Sequence, residues 1–264
     1  MPLPPHLAPL SPLVDDPRRA AFLVDFDGSL APIVDDPAAA RPLDAAVGAL
    51  ARLAPLVGRI AVVSGRPAQF LETHVPVPGI AHVGLYGLDR VVDGQRVVDA
   101  RALEWVPSIA AAADELDAAL PGLLVERKGD LAVTVHWRTA PSREADAIAA
   151  VSAVALRHGL DAPLRGRMAM ELRPPVLVDK GTAVEALVVG MYAAAFAGDD
   201  AGDLPAFAAL DRLRREGSLA ERVTIGVRSP EAPAAVLGAQ IVVDGPDGLA
   251  VLLAELASAI SGRG

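Results

Sequence analysis

Residues 21–30, AFLVDFDGSL, decide how the fold is read. Ala21 to Val24 form an apolar run with no polar interruption, the pattern of a strand buried on both faces. The run stops at Asp25, and Asp27 and Gly28 follow, a second carboxylate and a residue able to turn the chain. Leu43, Val47, Leu50 and Leu53 then recur at helical spacing across residues 42–56. Strand, acidic turn and helix make a β/α unit. RIAVVS at 59–64 repeats the pattern, and Pro67 suits the first position of the helix after it. A strand at 80–85 follows, then VVDGQRVV at 91–98, where Asp93-Gly94 between β-branched runs signals a hairpin.

The rhythm changes in the middle third. Residues 101–120 read as a helix, 123–128 and 131–138 as strands joined by Lys128-Gly129-Asp130, 142–158 as a second helix, and 163–173 as one or two strands around Gly166. Pro174 and Pro175 interrupt this unit. β/α alternation then resumes: a helix from Asp179, a strand at 193–198, a helix at 204–215, strands at 222–227 and 239–243, and a C-terminal helix. The expected fold is α/β, a Rossmann-like parallel-sheet core built from residues 1–102 and 175–264, with an α+β domain inserted at 103–174.

Composition excludes several classes. The chain has 264 residues and no cysteine, and a domain of that size buries roughly three quarters of its unfolded surface without disulfide or zinc. A net charge of −9 with no basic tract argues against a nucleic-acid partner, because phosphate-backbone affinity comes from clustered Lys and Arg. The longest apolar stretch, 186–198, is broken by Gly190 and is too short to span a bilayer, which takes about 20 residues. The N-terminal residues show neither a basic start nor an unbroken apolar region, so a cytoplasmic protein is expected. Only two of the 24 basic residues are lysine, Lys128 and Lys180. A coding bias toward arginine leaves lysine where a compact ammonium is required, and chance also leaves two.

Ligands of open parallel sheets bind beyond the carboxyl ends of the strands. Four polar clusters fall there: Asp25-Phe26-Asp27-Gly28-Ser29, Ser64-Gly65-Arg66, Lys180-Gly181, and Gly198-Asp199-Asp200-Ala201-Gly202-Asp203. An acid or serine at such a place also caps helices; for Ser64 taken singly that reading is the stronger one, and for Asp199 taken singly the two stand equally. Asp25 and Asp27 together are harder to explain as caps. Carboxylates brought close raise one another's pKa unless a cation joins them, and Mg²⁺ takes one or two carboxylates together with waters and phosphate oxygens.

DFDGSL at 25–30, SGR at 64–66, DKG at 179–181 and GDDAGD at 198–203 resemble the four motifs of the haloacid dehalogenase superfamily of phosphotransferases, in the correct order. GLYG at 84–87, ERKGDLAVTVHWR at 126–138 and MELRPPVLVDKGTAV at 170–184 narrow the resemblance to the trehalose-6-phosphate phosphatase family, over roughly residues 20–245. The resemblance implies that Asp25 attacks phosphorus to form an aspartyl-phosphate. Asp27 would serve first as general acid and then as general base. It assigns the transferring phosphoryl group to Ser64 and Lys180, with Ser29, Gly65 and Arg66 as further contacts. Mg²⁺ would rest on Asp25, the Asp27 carbonyl and Asp199, with Asp200 or Asp203 acting through water. The inserted domain becomes a substrate-specificity cap whose Glu126, Lys128, His136, Arg138 and Glu171 meet sugar hydroxyls; a solvated sheet face with alternating charges would also carry such residues. Trp137 points opposite His136 on an alternating strand and belongs to the core. Ser29 keeps the hydroxyl of the commoner threonine, and Tyr86 stands where many members have histidine.

The expected reaction is Mg²⁺-dependent hydrolysis of trehalose 6-phosphate, with a small-molecule sugar phosphate as partner and neither nucleic acid nor membrane. Two readings compete with it. One is a phosphatase of another sugar phosphate, such as sucrose phosphate or mannosylglycerate phosphate. The other is a catalytically silent binding domain, against which the retention of Asp25, Asp27 and Lys180 counts.

Overall fold

The computed structural model describes residues 3–92, 94–166, 168–229 and 232–263. In chain order, α1 (Ser11–Asp15) precedes β1 (Ala20–Val24), α2 (Asp44–Leu53), β2 (Arg59–Val63), α3 (Ala68–His74), β3 (Ile80–Gly84), β4 (Asp89–Val92) and β5 (Gln95–Val98). Next come α4 (Ala100–Leu103), α5 (Val106–Ala119), β6 (Leu124–Lys128), β7 (Ala132–His136), α6 (Glu144–His158), β8 (Leu164–Gly166) and β9 (Ala169–Leu172). They are followed by α7 (Lys180–Leu187), β10 (Ala193–Gly198), α8 (Leu204–Arg215), β11 (Glu221–Arg228), α9 (Ala234–Leu237), β12 (Ile241–Asp244) and α10 (Gly245–Ser261). No helix among the described residues is long and apolar enough to cross a membrane.

The larger sheet has the order β12-β11-β10-β1-β2-β3-β4-β5. Pairing is parallel from β12 through β3, and β4 returns antiparallel to β3. β1 is buried along its whole length, and alternate residues enter opposite layers. Phe22 and Val24 join Leu50 and Leu53 of α2 and Leu253 and Leu256 of α10. Ala21 and Leu23 join Val184 of α7 and Leu210 of α8. A sheet covered on both faces explains why the strands read as continuous apolar runs rather than alternating ones. β4 and β5 pair as the expected hairpin with Gly94 at φ +71°, while Asp93 lies outside the described residues.

By its internal contacts the chain divides into two compact units, Met1–Val97 with Val178–Gly264, and Val98–Leu177. The second unit thus starts five residues before the expected 103 and ends three after 174. Its sheet has the antiparallel order β6-β7-β9-β8. Val133, Val135 and Leu172 pack with Ala113 and Leu116 of α5 and Val151 and Val154 of α6, and Trp137 is buried in the same cluster. The helix expected over 101–120 is two helices. Pro107 sits in the first turn of α5, and in an unbroken helix its ring would strike the carbonyl of Leu103 four residues back.

Candidate active site

The sheet reverses direction at β1. The chain proceeds to β2 and β3 on one side and, after the second unit, to β10, β11 and β12 on the other. Such a switch point opens a crevice at the carboxyl ends of the strands, and Asp25, Ser64 and Asp199 all emerge there from neighbouring strands. Asp25 extends its ladder by one bond, from its N–H to the Ala197 carbonyl at 2.9 Å, and the Ser64 N–H likewise reaches the Val83 carbonyl at 2.9 Å.

Lys180 lies at the centre. Asp179 caps α7 by accepting from the Thr182 N–H at 2.8 Å, which sets the first turn and the direction of Lys180. The Lys180 Nζ stands 2.7 Å from Asp25 Oδ1 and 2.7 Å from Asp203 Oδ1, and its residue is only 4% exposed. Asp203 Oδ2 accepts from the backbone N–H groups of Asp199 and Asp200, at 2.9 and 3.0 Å.

Burial pushes the Asp25 carboxyl well above the ordinary carboxylate range; Lys180 opposes this, and Asp203, Asp200 and Asp199 add to it. Asp199 is pushed up to about 7, by burial first and then by Asp203 and Asp200. Asp203 is raised too, mainly by burial, against the pull of Lys180. Burial acts to lower the Lys180 ammonium, but Asp203, Asp25 and Asp200 outweigh it and hold the group charged well above its usual range. One ammonium faces more carboxylates than it can balance.

That deficit fits a divalent cation. Among the described residues, Asp25, Asp199 and Asp203 bring one carboxylate oxygen each to within 4.8 Å of one another, and Asp199 Oδ1 is buried with no partner. The donors are hard oxygens, the set that Mg²⁺ takes. Gly28 adopts φ +79°, and a Cβ there would lie 2.1 Å from Asp199 Oδ2, so glycine both makes the turn and leaves room for the acid. Asp200 is exposed and lies outside this triad.

The remaining expected residues sort by position. Ser64 is buried, and its Oγ accepts from the Arg66 N–H at 3.2 Å. Ser29 is fully buried, and its Oγ has no partner. Gly65 is tightly covered, since a Cβ there would lie 2.7 Å from the Tyr86 hydroxyl. Leu85 and Tyr86 both hold positive φ, +48° and +61°, a strained pair tied to the SGR turn by bonds from the Leu85 N–H to the Arg66 carbonyl and from the Tyr86 N–H to the Ser64 carbonyl. Sequence reasoning left Tyr86 without a role, and periodicity carries no signal for such a turn. It also missed the partner of Arg66, whose Nε and Nη2 each donate to one oxygen of Asp27 at 2.8 Å.

The second unit holds its own polar cluster. Strand alternation puts Glu126, Lys128, Thr134, His136 and Glu171 on the face opposite the α5–α6 core. Lys128 Nζ donates to Glu171 Oε2 at 2.5 Å, the Thr134 hydroxyl donates to the same oxygen at 3.2 Å, and His136 Nε2 pairs with Glu126 Oε2 at 2.8 Å. Glu171 Oε1 is buried without a partner. Arg138 is half-buried two residues beyond β7. Thr134 was not anticipated, although alternation from His136 would have found it.

Solved structures share this architecture. A haloacid dehalogenase-like hydrolase from Bacteroides thetaiotaomicron matches with a TM-score of 0.61 at 15% identity, over 89% of this chain and 98% of that one, and so the fold is that of the haloacid dehalogenase superfamily. The C-terminal domain of Candida albicans trehalose-6-phosphate phosphatase matches with a TM-score of 0.76 at 23% identity, over 97% and 98% of the two chains. The trehalose-phosphatase family model matches residues 23–235. A trehalose-phosphate phosphatase of Mycobacterium avium is 34% identical over 240 residues, 87% of this chain. The chain belongs to the trehalose-phosphatase family. It spans 60% of the length of that mycobacterial relative.

Proposed function

We propose that this chain hydrolyses trehalose 6-phosphate to trehalose and phosphate, with Mg²⁺, through an aspartyl-phosphate on Asp25. The observation that carries the reading is the buried Lys180 between Asp25 and Asp203 beside Asp199, in a member of the trehalose-phosphatase family. In the first step a carboxylate oxygen of Asp25 bonds to phosphorus, the bond from phosphorus to the sugar oxygen breaks, and the protonated Asp27 gives its proton to that oxygen. In the second, water attacks the same phosphorus, Asp27 takes the proton, and the Asp25–phosphorus bond breaks to restore the carboxylate. Splitting one displacement into two lets the same pair of carboxylates serve both.

Lys180 has three N–H donors, and its two carboxylate contacts leave one for a phosphoryl oxygen. Ser64, Ser29 and the Gly65 backbone supply further donors, and the orphaned Ser29 hydroxyl supports a ligand there. Asp25, Asp199 and the Asp27 carbonyl would hold Mg²⁺, with Asp203 or Asp200 acting through water; when bound, the ion supplies positive charge against the phosphoryl oxygens. The units 1–102 with 175–264 and 103–174 are assigned as catalytic core and substrate-specificity cap. In the cap, Glu126, Lys128, His136, Arg138 and Glu171 would bind sugar hydroxyls, and the unpartnered Glu171 Oε1 is suited to accept one. A charged sugar phosphate does not cross a bilayer unaided, which supports a cytoplasmic setting for the reaction.

Rapid-quench trapping tests the mechanism. The Asp25→Asn variant should form no acid-stable, hydroxylamine-sensitive phosphoenzyme, whereas Asp27→Asn should still form some from a substrate with a good leaving group. Appreciable phosphoenzyme in the Asp25 variant would overturn the assignment of the nucleophile.

A further inference from the structure

We infer that Arg66 is the positioning residue for Asp27, holding its carboxylate by a planar fork so that the proton can be given and taken along one direction. The inference deepens the reading of Asp27 as acid and base and rests on it.

The guanidinium is held by three hydrogen bonds and an aromatic ring. Its Nε and Nη2 each donate to a different oxygen of Asp27 at 2.8 Å, and Nη1 donates to the Pro37 carbonyl at 2.7 Å. Its central carbon lies over the Phe70 ring, 4.8 Å from the centroid. Phe70 meets Phe26 edge-on, with centroids 5.6 Å apart, and stacks on His74 at 4.1 Å. Phe26 is the residue between Asp25 and Asp27, so the platform beneath the fork is anchored to the loop that carries both carboxylates. Arg66 is only 8% exposed.

Asp27 by contrast stands on a turn with its side chain 39% exposed. A carboxylate in that setting samples about three χ1 wells, most of them aimed away from any one proton donor or acceptor. The fork occupies one lone pair on each oxygen and leaves the others free, so orientation is gained without blocking proton transfer. Lysine cannot reproduce this, since an ammonium is a point charge that neither forks nor stacks. The assignment gives Arg66 to Asp27 rather than to the substrate.

The test combines a leaving-group comparison with a double-mutant cycle in the full chain with Mg²⁺. Wild type, Arg66→Lys, Arg66→Gln, Asp27→Asn and Asp27→Asn/Arg66→Gln are compared on trehalose 6-phosphate and on p-nitrophenyl phosphate, whose leaving group departs without a proton. Arg66→Lys should lower kcat on the sugar phosphate by about tenfold to a hundredfold with KM nearly unchanged. The first-turnover burst of p-nitrophenolate should change less than threefold, and Arg66→Gln should add nothing in the Asp27→Asn background. Equal losses on both substrates, or an additive effect in that background, would overturn the positioning role while the wild type remained active. A wild type inactive on both phosphates would instead overturn the proposed function and the inference with it. Matched thermal unfolding of the Arg66→Lys protein and the wild type separates positioning from misfolding.

Discussion

Lys180 is held between two buried carboxylates at 2.7 Å, and its replacement by arginine keeps the charge but not the place where the charge sits. A guanidinium is broader and planar, and in a site this enclosed it would displace either Asp203 or the phosphoryl group. Lys180→Arg should cost about a hundredfold in kcat, the loss expected for a misplaced transition-state contact, as measured by steady-state phosphate release. Near-normal turnover would mean that retaining lysine here is chance. The residues of this cluster were legible because each ends a strand or opens a helix, where an apolar run meets a polar motif. The fork from Arg66 to Asp27 was not, because the two are 39 positions apart and nothing local in the sequence marks their pairing. The unpartnered oxygens of Ser29, Asp199 and Glu171 were equally hidden, since satisfaction of a buried atom depends on its neighbours in space.

At the scale of elements, α7 shows how local chemistry serves the site. Asp179 accepts from the Thr182 N–H at 2.8 Å, and the Thr182 hydroxyl in return accepts from the Asp179 N–H at 3.0 Å. This reciprocal cap fixes the turn from which Lys180 projects. Asp179→Ala should lower the free energy of unfolding by about 1 kcal/mol, read from urea midpoints at constant slope. A change within error would mean that tertiary packing alone sets the start of the helix. Strands buried on both faces and helices bounded by caps or proline were readable to within a few residues, as α8 at Leu204–Arg215 illustrates. The break between α4 and α5 was missed because Ala, Leu and Glu on both sides favour helix, and that preference masked Pro107. The short α1, with Leu13 and Val14 buried, gave too little periodicity to be seen.

The whole molecule arranges one sheet so that its direction reverses beside Asp25, and it interrupts that sheet's sequence with a second compact unit. The first arrangement gathers Asp25, the buried Lys180 ammonium and the carboxylates of Asp199 and Asp203 from segments up to about 175 residues apart in the chain. The second supplies a sheet face of carboxylates, lysine and histidine suited to hydroxyl groups. Core chemistry of this kind is shared by phosphatases of many sugar phosphates, so the identity of the sugar is the point at which the account is most exposed. Phosphate release from trehalose 6-phosphate tests it most directly, measured with Mg²⁺ and after chelation, against sucrose 6-phosphate, mannosylglycerate phosphate and glucose 6-phosphate. The account predicts the highest kcat/KM on trehalose 6-phosphate, lost on chelation and restored by Mg²⁺; no release from it with Mg²⁺ present, or a clear preference for another sugar phosphate, would contradict it.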